Sequence, residues 1–197
     1  MLFPVMTAET EGIVLTYAAP MVAVHDPEFR RWTVDEYERM VTLLDLDRVE
    51  LVDGVVYEAS PESAVHADAV MVVYEQLKDR RSSGRAMAAG SVRLDDGSLW
   101  NPDVYVLDVP PGEVCDKYPK AGDVLLAVEV SLSTWHRDTQ RKLPVYARNG
   151  IPEVWLLRPT NGTIWELVRF TDPVADAYRS MATIELPDGP ESIPTEL

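Results

Sequence analysis

The sequence predicts an α+β fold, and three observations carry that prediction. Periodic segments follow one another as helix, hairpin, helix, mixed strands, helix and hairpin. Residues 123–130 form a nearly continuous apolar run, as expected of a central strand covered on both faces. At 197 residues and 46% hydrophobic composition, the chain is long enough to bury one sizeable core. The expected division is an N-terminal arm over 1–30, one domain over 31–186 built on one sheet, and an acidic, proline-bearing tail over 187–197.

The arm contains Pro4, Pro20 and Pro27 and shows no period. Thr33 and Glu36 then form a capping box, and Val34, Tyr37, Val41 and Leu44 share one stripe, which predicts a helix to about Leu44. A hairpin follows, with Arg48–Val52 and Val55–Glu58 joined at Asp53-Gly54. Ser60-Pro61-Glu62 opens a second helix to about Arg81, whose inner face is His66, Val70, Val73 and Leu77. Two strands, about 86–94 and 102–107, lie around Asp95-Asp96-Gly97, and 108–122 reads as a surface loop. After the apolar strand, a helix near 138–148 closes at Asn149-Gly150. Pro144 must either start its regular part or kink it. Glu153–Leu157 and Thr163–Phe170 make a hairpin around Asn161-Gly162, and a last strand lies near 181–186.

Charge narrows the function classes. With 18 Lys and Arg against 33 Asp and Glu, the formal charge is −15, which opposes a general basic grip on nucleic acid. It suits collection of divalent cations, or solubility alone. The lone Cys115 excludes an internal disulfide framework and a cysteine-based zinc site, and three histidines argue against a histidine-rich one. No apolar run approaches the ~20 residues that span a bilayer. Glu9 and Glu11 interrupt the place of a secretory apolar stretch, so a cytoplasmic protein without membrane attachment is expected.

Against this background, three acids lie where strands predict apolar residues. Glu129 falls in the 123–130 run, on the face of Leu125 and Ala127, where an unpaired carboxylate is costly to bury. Asp103 follows Pro102 at the mouth of a strand, and Glu50 separates Val49 from Leu51. Taken singly, Glu50 alternates as a solvent-facing residue does, and Asp103 is compatible with a turn cap. Asp138, Lys142 and Tyr146 recur at spacings of four immediately after the Glu129 strand. They read either as an exposed ion pair with a core tyrosine, or as a lysine returned beside the carboxylates. In the second case the set has the composition of a metal-assisted phosphodiester hydrolysis site. A lysine acting as base there needs a pKa below its ordinary ~10.4.

These residues resemble the PD-(D/E)xK nuclease pattern in the arrangement of the Uma2 family, also called DUF820. The resemblance spans roughly 33–170. It rests on Arg48–Gly54, Ser60-Pro61 with His66-Ala67, Pro102-Asp103-Val104, Val128–Ser131, Asp138, and above all Lys142–Arg148 continuing to Trp155. It implies a restriction-endonuclease-like core, a central mixed β-sheet flanked by helices. It also implies Mg²⁺ or Mn²⁺ as cofactor, with Asp103, Glu129 and the Val130 carbonyl as ligands and Glu50 as an added carboxylate. Lys142 takes the water-positioning role, and His66 lies close by. Ser131 stands where the short form of the motif has its lysine, so Lys142 must act from the helix.

The implied activity is metal-dependent endonucleolytic hydrolysis of DNA. Two alternatives stay open: a nuclease fold that no longer cleaves and serves as an interaction module, and a hydrolase of a small phosphate ester. DNA contact is expected to be local, through few groups such as Arg48, Arg93, Arg137, Arg141 and Arg148. Trp100 reads either as a stacking platform or as core. The apolar hairpin 153–170 either closes the core or makes a homodimer interface.

Overall fold

The computed structural model describes residues 30–46, 48–58, 62–80, 84–95, 97–109 and 117–195. All but the last residue of the predicted arm over 1–30, together with Cys115 and the Ser60-Pro61 pair, lies outside the described residues. The fold is α+β, with a mixed central sheet flanked by helices, but it is built on two sheets where one was expected.

Helix α1 (Val34–Leu44) starts at Thr33 with both halves of the capping box formed. Strands β1 (Val49–Val52) and β2 (Val55–Glu58) pair through a turn in which Asp53 and Gly54 both have positive φ, 49° and 74°. A side chain at residue 54 would also meet Arg31, whose Cβ lies 2.6 Å from an ideal Cβ there. Helix α2 (Ala64–Arg80) begins later than expected, and Ser63 caps it: the Ser63 hydroxyl accepts the His66 N–H at 3.2 Å.

The stretch expected to hold two strands holds four: β3 (Arg85–Ala88), β4 (Val92–Asp95), β5 (Ser98–Trp100) and β6 (Val104–Leu107). Ala89 and Gly90, at φ of 60° and 111°, turn the chain between β3 and β4. Pro102 has no N–H to extend a ladder between β5 and β6. The β4–β5 hairpin therefore joins the first one in a four-stranded sheet ordered β2-β1-β5-β4, while β3 and β6 join the other sheet.

The predicted apolar strand is β7 (Val124–Val130), placed fourth in the six-stranded order β10-β9-β8-β7-β6-β3. It runs antiparallel to β6 and parallel to β8 (Glu153–Asn161). Strands β9 (Ile164–Val174) and β10 (Ala177–Leu186) pair along most of their length, so both exceed the lengths read from the sequence. The sheet buries both faces. On one, Ala69, Val73 and Leu77 of α2 pack on Val104, Val106, Leu126, Val128 and Val130. On the other, Tyr105, Ala127 and Leu156 meet Trp100, Val145, Tyr146, and Val52 and Val92 of the smaller sheet. After β10, Ile193 is buried in the α2-side core and the Gln76 amide donates to the Pro190 carbonyl at 2.6 Å.

The connection from β7 to β8 fixes the candidate site. It comprises α3 (Trp135–Arg137), a π turn over Asp138–Lys142, and α4 (Leu143–Arg148). Pro144 cannot donate a backbone bond and its ring crowds the preceding turn, so Leu143 N–H bonds the Asp138 carbonyl five residues back. The proline thus widens one turn and also opens the regular helix that follows. At the far end, Ile151 N–H reaches the Tyr146 carbonyl and Gly150 N–H that of Ala147, with Gly150 at a φ of 73°, which closes α4 in a Schellman motif.

Candidate active site

Glu50 and Glu129 approach one ammonium from two sheets. Glu129, on β7, points to the same face as Ala127, and Glu50, on β1, points to the same side as Val52. Lys142 Nζ lies 2.9 and 3.0 Å from the two Glu129 oxygens and 3.4 Å from Glu50 Oε1. All three residues are at most 5% exposed. Glu50 is therefore not solvent-facing as its alternation allowed: its own strand is covered by α1 on one side and by the larger sheet on the other. Tyr146 donates its hydroxyl to Glu129 Oε1 at 2.6 Å, and the Asn101 N–H donates to Glu50 Oε1 at 3.3 Å. Trp100 is fully buried, edge-on to Tyr146 at 4.7 Å with Lys142 Nζ 5.7 Å from its ring, so it is a wall of this pocket and not a platform for a base.

Asp103, at the mouth of β6, accepts the Val130 N–H at 2.6 Å, which ties it to the residue after Glu129. Its other partner is His66 of α2, with Nε2 3.3 Å from the same oxygen. These two side chains are 17% and 15% exposed, so the site opens to solvent on this side, away from the buried lysine. Ligand atoms of Glu62, His66 and Asp103 lie within 4.8 Å of one another, and Glu50 and Glu129 are outside that group.

Asp138 and Lys142 are not the exposed ion pair that their spacing allowed. Both are buried, and each turns to a different partner. Asp138 Oδ2 accepts the hydroxyls of Ser131, at 2.7 Å, and Thr134, and so clamps the π turn to the end of β7. The residue standing in the usual lysine position thus helps anchor the helix that carries the lysine.

Burial pushes the Glu129 carboxyl up to about 8, against the pull of Lys142 and with the help of Asp103, Asp138 and Glu50. Burial draws the Lys142 ammonium down, but the Glu129, Glu50, Asp138 and Asp103 carboxylates outweigh it and hold its pKa above the ordinary lysine value. The condition set for a lysine base is not met. Lys142 here is a fixed positive charge. His66 is raised by its bond to Asp103, and Tyr146 by burial and by Glu129.

The donor set fits a hard divalent cation. Two buried carboxylates, Glu50 and Glu129, share one lysine, and Asp103 is tied to the neighbouring Val130 N–H, an oxygen set of the kind a hard cation takes. Such a cation has Asp103, Glu129 and Glu50 oxygens to draw on.

Sequence reasoning missed the Tyr146 hydroxyl and the Ser131–Thr134 clamp. The signal for the first is its position one turn after Lys142; for the second, it is the polar run directly after an apolar strand. Of the proposed basic contacts, Arg148 is held by Asp53, Asp95 and Asp176, Arg93 by Asp35, and Arg141 stacks on Tyr57. Arg137 Nε lies 3.7 Å from Asp138. No described helix is long and apolar enough to cross a membrane.

Residues 34–196 match the family described as "Uma2: Putative restriction endonuclease". No curated protein matches the chain significantly. Among solved structures, the chain is similar to a crystal structure described as "a putative nuclease belonging to DUF820" from Anabaena variabilis. The two share 18% identity at a TM-score of 0.54, over 80% of this chain and 86% of that one, a likeness of fold.

Proposed function

This chain belongs to the Uma2 family, and from that premise we propose that it is a divalent-cation-dependent endonuclease hydrolysing DNA phosphodiester bonds. The observation that carries the reading is the convergence of Glu50, Glu129 and Lys142 in a buried pocket adjoining Asp103. In this reading Asp103, Glu129 and the Val130 carbonyl hold Mg²⁺ or Mn²⁺, with Glu50 adding negative charge. When bound, the ion supplies Lewis-acid activation of water and neutralises charge on the phosphate.

The chain's own residues do the rest. Lys142 keeps its proton, so it orients the attacking water and stabilises developing charge as an ammonium. Tyr146 and Trp100 fix where that ammonium lies and exclude bulk water. Substrate phosphate approaches from the partly exposed Asp103–His66 side. Because most nearby arginines already bond acids, few groups remain to hold a long polymer, and contact is short. The same observation favours a second reading, hydrolysis of a small phosphate ester.

One assay tests both: supercoiled plasmid, single-stranded oligonucleotide and mononucleotide phosphoesters, each with Mg²⁺, Mn²⁺ or EDTA. The expected result is cation-dependent cleavage of the polynucleotides, abolished in Asp103→Ala and slowed about 10²–10³-fold in Lys142→Ala. Cleavage confined to the small esters favours the second reading. Equal activity in wild type and variants overturns the site assignment.

A further inference from the structure

We propose that strand β10 pairs antiparallel with β10 of a second copy of the chain, about a two-fold axis at Ala182, joining the two larger sheets edge to edge. The inference does not rest on the proposed activity. It starts from the edges of the two sheets. The edge strands β2, β4 and β3 have four residues each, whereas β10 has ten. A strand at the end of a sheet presents a row of N–H and C=O groups without a ladder partner, and folds commonly blunt such edges with lysine, proline, bulges or brevity. β10 holds no lysine and no proline, and none of its residues has a positive φ. Seven of its ten residues are exposed, including every residue from Arg179 to Thr183, so both of its faces are open there. Strands β8 and β9 lie inside the sheet with Val154, Trp155, Leu156 and Leu167 buried, so that hairpin closes the core and the long free edge is β10.

The edge is complementary to itself. In a two-fold pairing one residue lies opposite itself, and residues equally far before and after it lie opposite each other. β10 carries two charges, Arg179 and Glu185. An axis at Ala182 sets Arg179 of each strand opposite the partner's Glu185, on one face of the joined sheet. Moving the axis by one residue loses this: Arg179 then opposes the partner's Thr183, or Glu185 opposes the partner's Met181. The same axis leaves the small Ala182 where the two strands meet themselves. Glu185 also lacks a cation within the chain. It lies directly opposite Glu166 of β9, a like-charge pair, and Arg158 already bonds Glu166. No described residue gives Glu185 a basic partner. Arg179 reaches Asp172 at 3.6 Å with both side chains more than half exposed, a weak pair that leaves the guanidinium able to bridge to the partner.

Sedimentation of the full chain across micromolar concentrations tests this, and a reversible dimer is expected. Arg179→Glu sets glutamate against glutamate at both symmetric positions and raises the dimer Kd about 10-fold or more, and Glu185→Arg does the same with arginines. Exchanging the two, Arg179→Glu with Glu185→Arg, returns Kd to within about 3-fold of the wild type. Both side chains are exposed, so the variants keep the fold, which circular dichroism checks. A short bis-maleimide reagent links two chains carrying Ala182→Cys in a Cys115→Ser background, and does not link chains carrying Leu43→Cys, an exposed position on α1. A chain that stays monomeric overturns the proposal, as does a dimer indifferent to both single charge variants or one that is linked through 43 and not through 182. A monomer that cleaves DNA sinks this inference and leaves the nuclease reading intact. An inactive dimer with the expected charge response does the reverse.

Discussion

Lys142→Ala is expected to lose about 3–5 kcal/mol of stability and about 10²–10³-fold in cleavage rate. The stability loss follows from burial. Glu129 and Glu50 are at most 5% exposed, and both lose the only ammonium that reaches them among the described residues. Burial already pushes the Glu129 carboxyl upward and Lys142 opposes that push, so without Lys142 the acid takes up a proton or unfolds the pocket. Replacing the whole charged group separates fold from function. In Lys142→Met with both Glu50→Gln and Glu129→Gln, neither acid is left buried as an unpaired charge, so most of the stability returns while cleavage does not. Denaturant midpoints read the first quantity, and cleavage rates under conditions where each variant is folded read the second. Added Mn²⁺ should also stabilise Lys142→Ala more than the wild type, because it restores the missing positive charge. A Lys142→Ala protein as stable and as active as the wild type contradicts this account of the pocket.

Asp138→Ala is expected to cost about 2–3 kcal/mol and roughly 10²-fold in kcat, with KM little changed. Asp138 touches no carboxylate of the pocket. It accepts the Ser131 and Thr134 hydroxyls on a single oxygen, and so holds the π turn that carries Lys142 against the end of β7. Alanine leaves both hydroxyls without that acceptor and lets the lysine move. Asparagine keeps one carbonyl oxygen where Oδ2 was, so Asp138→Asn should recover most of the rate. Denaturant unfolding and steady-state kinetics on the three proteins check this. An Asp138→Asn variant as slow as Asp138→Ala would show that the charge matters and not the clamp.

Several features were legible in the sequence because a local rule governs each. The Thr33 capping box, the Asp53-Gly54 turn and the apolar β7 run each depend on neighbours in the chain, and each forms. The split of 85–107 between two sheets was not legible. Whether a short strand joins one sheet or another depends on partners distant in sequence, and β5 pairs with β1 through Leu51 and Leu99. The candidate site divides in the same way. Glu129 stood out because a carboxylate in an apolar run needs a partner. Glu50 did not, because alternation along β1 cannot reveal that both faces of the strand are covered. The burial of Asp138 and Lys142 was hidden for the same reason: helical spacing gives a shared face, but not which way that face turns.

Anomalous scattering from a crystal soaked in Mn²⁺ shows whether the acids at the end of β7 hold a divalent cation. The expected result is a manganese peak within bonding distance of both the Asp103 and Glu129 carboxylates, with Lys142 Nζ alongside. Manganese bound only at exposed acids, with Glu129 still held by Lys142 and Tyr146 alone, would contradict it.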